Sequence, residues 1–464
     1  MIRTRFAICP QKKMDVSDLR DALFSYLIAK HDGGDFILRI DDANQNNYQL
    51  EAEENIYEIL NIFGLSYDEG PKKEFEKLSY IQSEHLPLYK TYVEKLIKRG
   101  HAYYCFCTKE ELNDRRMNST KTNTSHIEDP CRNFPKDEAR RKILIEEKYV
   151  IRSKMPKIGQ TSFHDLVYKD ITTKNENLED QILIKSDGTP TYNFANVLDD
   201  ALLNITHTTS SSKFLTSAPK ELLLYEALGF PVPTFVHFPK IITTSKDLLT
   251  DLLSQGFLKE AILNYLAILN WTPKDNKEFF TLEELIQEIN IEKIHKRPAH
   301  FDLKKLEWFN RHYLRKMNDI EYLQFVRPYL EKFYNLEGKS EEWIEHLLLL
   351  YKNRLHFASE IAFSAHIFFI RDIEYEDEQI TFLKSDVSIE NTLKIFKNTI
   401  ENLNVWNLEE IKTALKSVEE QASISGKLLY LPIRIAITGT MHGPDLVDVI
   451  YLLGKETILM RLGE

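Results

Sequence analysis

The chain is predicted to be α/β through about residue 240 and mostly helical beyond it. Two patterns near the N-terminus and one near the C-terminus carry that expectation. Phe36-Ile-Leu-Arg39-Ile40 is a short β-rich run leaving the Gly33-Gly34 turn, as a strand does. Before it, Asp18 to Lys30 places Leu19, Ala22, Leu23, Tyr26 and Leu27 at helical spacing. A helix followed by a strand in this order opens an α/β sheet. Ala52 to Phe63 reads as a second helix, with Ile56, Ile59, Leu60 and Phe63 on one face. Residues 117–125 are polar and aperiodic, and read as a loop. Leu248 to Leu253 reads as a short helix. From Asp319 the pattern turns helical, and Ile389, Leu393, Phe396, Ile400 and Leu403 form one apolar stripe.

Composition bounds the function. With 464 residues, 43% of them hydrophobic and 28% charged, the chain can build several packed domains. A net charge of -11 argues against a protein that coats nucleic acid nonspecifically. It leaves room for RNA, because binding needs a local basic surface rather than a basic total. No apolar run reaches the length of a bilayer span, and Met-Ile-Arg-Thr-Arg has no signal-peptide core. Four cysteines in so long a chain do not make a disulfide framework. The expected compartment is cytoplasmic, with no membrane contact.

A series of short blocks then becomes informative by order and spacing. They include Arg3-Thr-Arg5-Phe-Ala7, Gly33-Gly34-x-Phe-Ile-Leu-Arg39-Ile40, Tyr67-Asp-Glu69-Gly70-Pro71 and Gln82-Ser83-Glu84. Further along come Ala102-Tyr-Tyr-Cys105-Phe-Cys107, Ser186-Asp-Gly-Thr-Pro-Thr-Tyr192, Phe301-Asp302 with Trp308 and Asn310, and Leu431-Pro-Ile-Arg434. Together they resemble bacterial glutamyl-tRNA synthetases over nearly the whole chain. The resemblance implies a Rossmann-type class I synthetase catalytic domain with an α+β insertion, followed by a mostly α-helical anticodon-binding domain. The expected boundaries are 1–100 and 186–240 for the two catalytic halves, 101–185 for an acceptor-stem insertion, 241–315 for a connecting domain and 316–464 for the anticodon domain. It also implies ATP and Mg2+ as cofactors, tRNA of the glutamate type as partner, and a monomer.

Against that family the catalytic signatures are altered. The segment that reads H-I-G-H in the family, at a helix N-terminus that favours phosphate, is here Asp15-Val16-Ser17-Asp18. Aspartate and serine are good helix N-caps, so the helix still starts, but two carboxylates face where phosphates would lie. The lysine-bearing K-M-S-K-S-type loop is shortened, with Ser245-Lys246 the only echo. Ser210 stands where the family has an arginine, and serine cannot grip a carboxylate bidentately. Asp41 stands for a glutamate, one methylene shorter. Arg5, Tyr192 and Asn196 match the family's amino-acid pocket, and the resemblance implies a small polar or acidic ligand there.

Cys105-x-Cys107 with Cys131 resembles the zinc site of some family members. Zinc wants four soft or nitrogen ligands. His126 is the expected fourth, since Asn133 stands where one variant has histidine; reduced thiols without metal are the alternative. Cys9 replaces a serine and reads as a small filler. Arg311, Arg315 and Arg434 fall on tRNA-contacting patterns, with an internal salt bridge the alternative for Arg434. Three functional readings follow: a tRNA-binding pseudo-synthetase, a divergent but active glutamate–tRNA ligase, and a scaffold contacting another translation enzyme.

Overall fold

A computed structural model describes residues 1–73, 78–108, 110–112, 114, 129–243 and 249–463. The expected loop at 117–125, His126, Ser245 and Lys246 lie outside the described residues. The chain divides into two compact units, Met1–Asp251 with Ile262–Leu303, and Leu252–Ala261 with Lys304–Glu464.

In the first unit, β1 (Arg3–Ile8) runs through α1 (Val16–His31) into β2 (Asp35–Ile40). β1 and β2 pair in parallel, with Arg5 beside Ile37 and Ala7 beside Arg39. The turn between α1 and β2 needs glycine twice. Gly33 has φ of 62°, and a Cβ on Gly34 would lie 2.1 Å from the Ile2 carbonyl oxygen. α1 differs from its expected single apolar stripe: Val16, Leu19, Leu23, Phe24, Leu27 and Ile28 are buried around most of its circumference, and Tyr26 is only half-buried. A helix packed against the main sheet and its own neighbours is covered on several sides.

β8 (His207–Ser211) and β9 (Thr234–Phe238) extend the sheet in parallel, and a hairpin of β5 (Gln160–Asp165) and β6 (Lys169–Lys174) completes it. The strand order is β2-β1-β8-β9-β5-β6. β3 (Ala102–Cys105), β4 (Val150–Ser153) and β7 (Ile182–Ile184) form a separate antiparallel sheet. The second helix spans Leu50–Ile62, beginning earlier than its apolar face suggested. The short helix expected at 248–253 is Leu249–Ser254, with Leu248 outside the described residues.

The second unit is helical. Helix Val387–Glu401 buries Ile389, Thr392, Phe396 and Ile400, so Thr392 takes the inward place expected of Leu393. Its hydroxyl donates to the Ser388 carbonyl at 2.7 Å, which satisfies it inside the core. Leu403 lies beyond the end of that helix. Among the described residues no helix is long and apolar enough to cross a membrane.

Candidate functional site

β1 and β8 are neighbours where the strand order reverses, pairing at Thr4 and His207 near their amino ends, and open α/β sheets take their ligands in the crevice outside the carboxyl ends of such a pair. Three elements supply a shared side-chain network beside it, and β8 runs alongside. Arg5 comes from β1 and Arg39 from β2. Asn196, Asp199 and Asp200 come from helix Tyr192–Leu202, and Ser210 lies in β8.

The centre is a buried ionic network. The Asp200 carboxylate accepts from Arg5 Nε at 3.1 Å and from Arg39 Nη1 at 2.6 Å on the same oxygen. Arg39 also donates to Asp41 at 2.7 and 3.3 Å, and to the Asn196 side-chain oxygen. Arg5 also donates from Nη1 to the Thr209 carbonyl. Beside this, Asp199 accepts from Gln82 at 2.9 Å and from the Tyr89 hydroxyl at 2.8 Å, and lies 3.0 Å from His85 Nδ1. Charges taken this far from water persist only when paired and hydrogen-bonded.

Of the residues singled out in the sequence, Arg5, Asp41 and Asn196 are therefore brought together, with Arg39 as the link. Tyr192 begins the same helix as Asn196 and stacks on Phe214 at 5.1 Å between ring centroids. Ser210 sits half-buried in β8, opposite His237 of β9. Sequence reasoning gave no role to Arg39, Asp199, Asp200, Gln82 or His85. The Gln82-Ser83-Glu84 block and the Asp199-Asp200 pair were the available signals.

At the head of α1 the Asp15 carboxylate accepts from the Ser17 and Asp18 amides at 2.9 and 3.0 Å. Asp18 returns the contact, accepting from the Asp15 amide at 3.1 Å. This is a reciprocal capping box. Lys12 donates to Asp18 at 3.0 Å and to Asp15. Burial, and then the Asp15 charge, push the Asp18 carboxyl up to about 6. Two of the first-turn amides that make a helix N-terminus attractive to an outside anion, those of Ser17 and Asp18, are thus already engaged by the chain's own Asp15 carboxylate. Cys9 is half-buried and accepts from the Gln11 side chain at 2.9 Å.

In the small antiparallel module, Cys105, Cys107, Cys131 and Asp129 bring one ligand atom each within 4.8 Å of one another. The Cys105 thiol, donating, holds Cys131 down at about 6, whereas burial pushes Cys107 up to about 11. The sequence had not pointed to Asp129.

In the second unit Arg311 and Arg315 both donate to the Asn353 carbonyl, at 2.9 and 2.7 Å. Arg434 donates to the Pro444 carbonyl at 2.7 Å, a backbone partner rather than the carboxylate considered from sequence. Arg434 and Arg354 line a cavity of about 730 Å³ with His442, Thr438 and the exposed Phe363.

A parallel sheet with its ligand crevice at the strand reversal, joined to a helical unit, is the layout of a class I aminoacyl-tRNA synthetase. A family model for the catalytic domain of class I tRNA synthetases (E and Q) matches residues 1–308, and one for an anticodon binding domain matches residues 321–464. The chain is 42% identical over 475 residues to a glutamate–tRNA ligase of Clostridium botulinum, covering 99% of this chain and 97% of that protein. It is 36% identical over 482 residues to that of Alkaliphilus metalliredigens, at 99% and 98% coverage. A crystal structure of a glutamate tRNA ligase from Elizabethkingia meningosepticum in complex with its amino acid superposes with a TM-score of 0.87 at 30% identity, covering 99% of this chain and 98% of that one. The chain belongs to the glutamate–tRNA ligase family. The anticodon-binding domain makes tRNA its implied partner, and class I synthetases use ATP and Mg2+.

Proposed function

We propose that this chain is a tRNA-binding member of the glutamate–tRNA ligase family that has lost ATP-dependent glutamate activation. The carrying observation is the Asp15–Asp18 capping box with Lys12 bridging both carboxylates. Adenylate formation gathers negative charge on phosphates, and stabilising it needs positive charge and free donors at that spot. Two carboxylates and one ammonium leave the spot net negative, with the Ser17 and Asp18 amides engaged. These residues do not fit a triphosphate with its Mg2+.

Ser210 adds to this reading, because a hydroxyl offers the substrate carboxylate no charge. Arg311, Arg315 and Arg434 are proposed as tRNA contacts, the first two held by one carbonyl and the third lining a cavity that Arg354, Asp372 and Glu374 also line. The division into catalytic halves 1–100 and 186–240, insertion 101–185, connecting domain 241–315 and anticodon domain 316–464 belongs to the same proposal. So do a structural zinc at the cysteine cluster, a monomeric state and a cytoplasmic setting.

The test is glutamate-dependent ATP–pyrophosphate exchange with and without total tRNA, alongside tRNA binding across salt concentrations. No exchange with salt-sensitive tRNA binding is the expected result. Arg315→Ala should lower the slope of log affinity against log salt by about one unit, as loss of one phosphate contact does. No exchange and no tRNA binding would leave the scaffold role toward another translation enzyme.

A second reading, a divergent but active glutamate–tRNA ligase, is favoured by the 42% identity that runs end to end and by the intact Arg5–Asp200–Arg39–Asp41 network. It requires Lys12 to leave its carboxylates and meet the phosphates. Exchange above background that Lys12→Ala abolishes would establish it.

A further inference from the structure

We propose that Asp129, not a histidine, completes the cysteine cluster as a three-sulfur, one-oxygen cation site, with Arg152 as its charge partner. The inference rests on the structural-zinc reading above and adds the ligand set. A tetrahedral zinc ion with bonds of about 2.3 Å to sulfur spaces its ligand atoms about 3.8 Å apart. Cys107 and Cys131 sulfurs lie 3.6 Å apart, and Asp129 oxygens lie 3.0 Å from the Cys105 sulfur and 4.0 Å from the Cys107 sulfur. The two Asp129 distances are to its two different oxygens; taking one ligand atom from each residue, the four lie within 4.8 Å of one another, so a tetrahedron closes on a modest inward movement of the side chains.

Asn133 is turned elsewhere, its side-chain oxygen accepting from Lys154 Nζ at 3.3 Å. Asp129 is fixed in place instead. One of its oxygens accepts from the Cys131 amide at 2.9 Å, and the other lies 3.2 Å from Arg152 Nε. The Phe106 amide points at the Cys131 sulfur from 3.4 Å. Such outer contacts orient ligands and tune the metal.

Charge explains Arg152. Three thiolates, one carboxylate and a divalent cation sum to two negative charges in a mostly buried module. The Arg152 guanidinium, itself mostly buried in β4, offsets one of them. Soft thiolates select zinc-like cations over Mg2+ or Ca2+, which prefer all-oxygen shells. As the cation binds, the protons still held by the thiols leave to solvent.

The experiment uses the full-length chain. Zn2+ affinity is measured against a chromophoric chelator, and Co2+ and 113Cd2+ report the ligand set by absorption and by NMR shift. The expected results are one cation per chain, tetrahedral cobalt bands and a cadmium shift of the three-sulfur, one-oxygen type. Asp129→Asn and Arg152→Gln should each weaken Zn2+ binding by about 10- to 100-fold, and Asp129→His should restore it while moving the cadmium shift toward nitrogen ligation. If the wild type takes up neither Zn2+ nor Co2+, the zinc reading and this inference fall together. If it takes up metal with a nitrogen-type cadmium shift, or Asp129→Asn binds as tightly as wild type, only Asp129's role falls. The wild-type cadmium spectrum decides the matter even if Asp129→Asn does not fold.

Discussion

Asp15 and Asp18 cap each other: the Asp15 carboxylate accepts from the Asp18 amide at 3.0 Å, and the Asp18 carboxylate accepts from the Asp15 amide at 3.1 Å. The pair starts the helix that follows β1, at the point where the family's signature would handle phosphate.

The cap itself makes the first prediction. Asp15→Ala should destabilise the protein by about 1 kcal/mol, because two first-turn amides lose their acceptor. Asp15→Ser, another good N-cap, should stay close to wild type. Urea unfolding of both variants checks this, and equal losses would show that the carboxylate charge rather than the cap matters.

A pH dependence follows from Asp18. Its folded-state carboxyl is raised to about 6, above the ordinary range near 4, by burial and the Asp15 charge. A raised acid favours folding while protonated and costs stability once ionised, so the cost appears as pH climbs from about 4 through about 6. Asparagine can still accept from the Asp15 amide and carries no charge. The melting temperature of Asp18→Asn relative to wild type should therefore be more favourable at pH 7.5 than at pH 4. A difference that does not move with pH would contradict the assignment.

Asp200→Asn tests the buried network. Arg5 and Arg39 would both lose the carboxylate they share, leaving charge buried and under-paired. A loss of about 3–5 kcal/mol is expected, read from chemical denaturation. A loss below about 1 kcal/mol, the scale of an exposed pair, would mean that solvent reaches the guanidinium groups.

Restoring one signature should not restore chemistry. Asp15→His combined with Ser17→Gly removes the carboxylate at the helix start, but Ser210 and the shortened segment after Lys240 remain. Glutamate-dependent ATP–pyrophosphate exchange in that double variant is expected to stay at background. Robust exchange would place the whole defect at the head of α1.

How much was legible in the sequence depended on range. The strand at Phe36–Ile40 and the capping role of Asp15 are local, and local spacing showed both. The shared Asp200 carboxylate was not legible, because Arg39 and Asp200 are brought together by the fold across most of the first unit. Asp129 was missed for a different reason. A lone aspartate near a cysteine has no distinctive spacing, and only its amide contact to Cys131 and its approach to Arg152 turn it toward the sulfurs. Arg434 shows a third limit: a basic residue's partner can be a carbonyl, which no charge pattern reveals.

The β5–β6 hairpin, drawn from the 101–185 stretch, is laced into the main sheet. Asp165 at the end of β5 accepts from both the His237 amide and its ring, at 3.0 and 2.7 Å, while Phe163 packs on Phe235. That part of the stretch therefore unravels only if the sheet does. Amide hydrogens of β5 and β9 should exchange with solvent as one cooperative block.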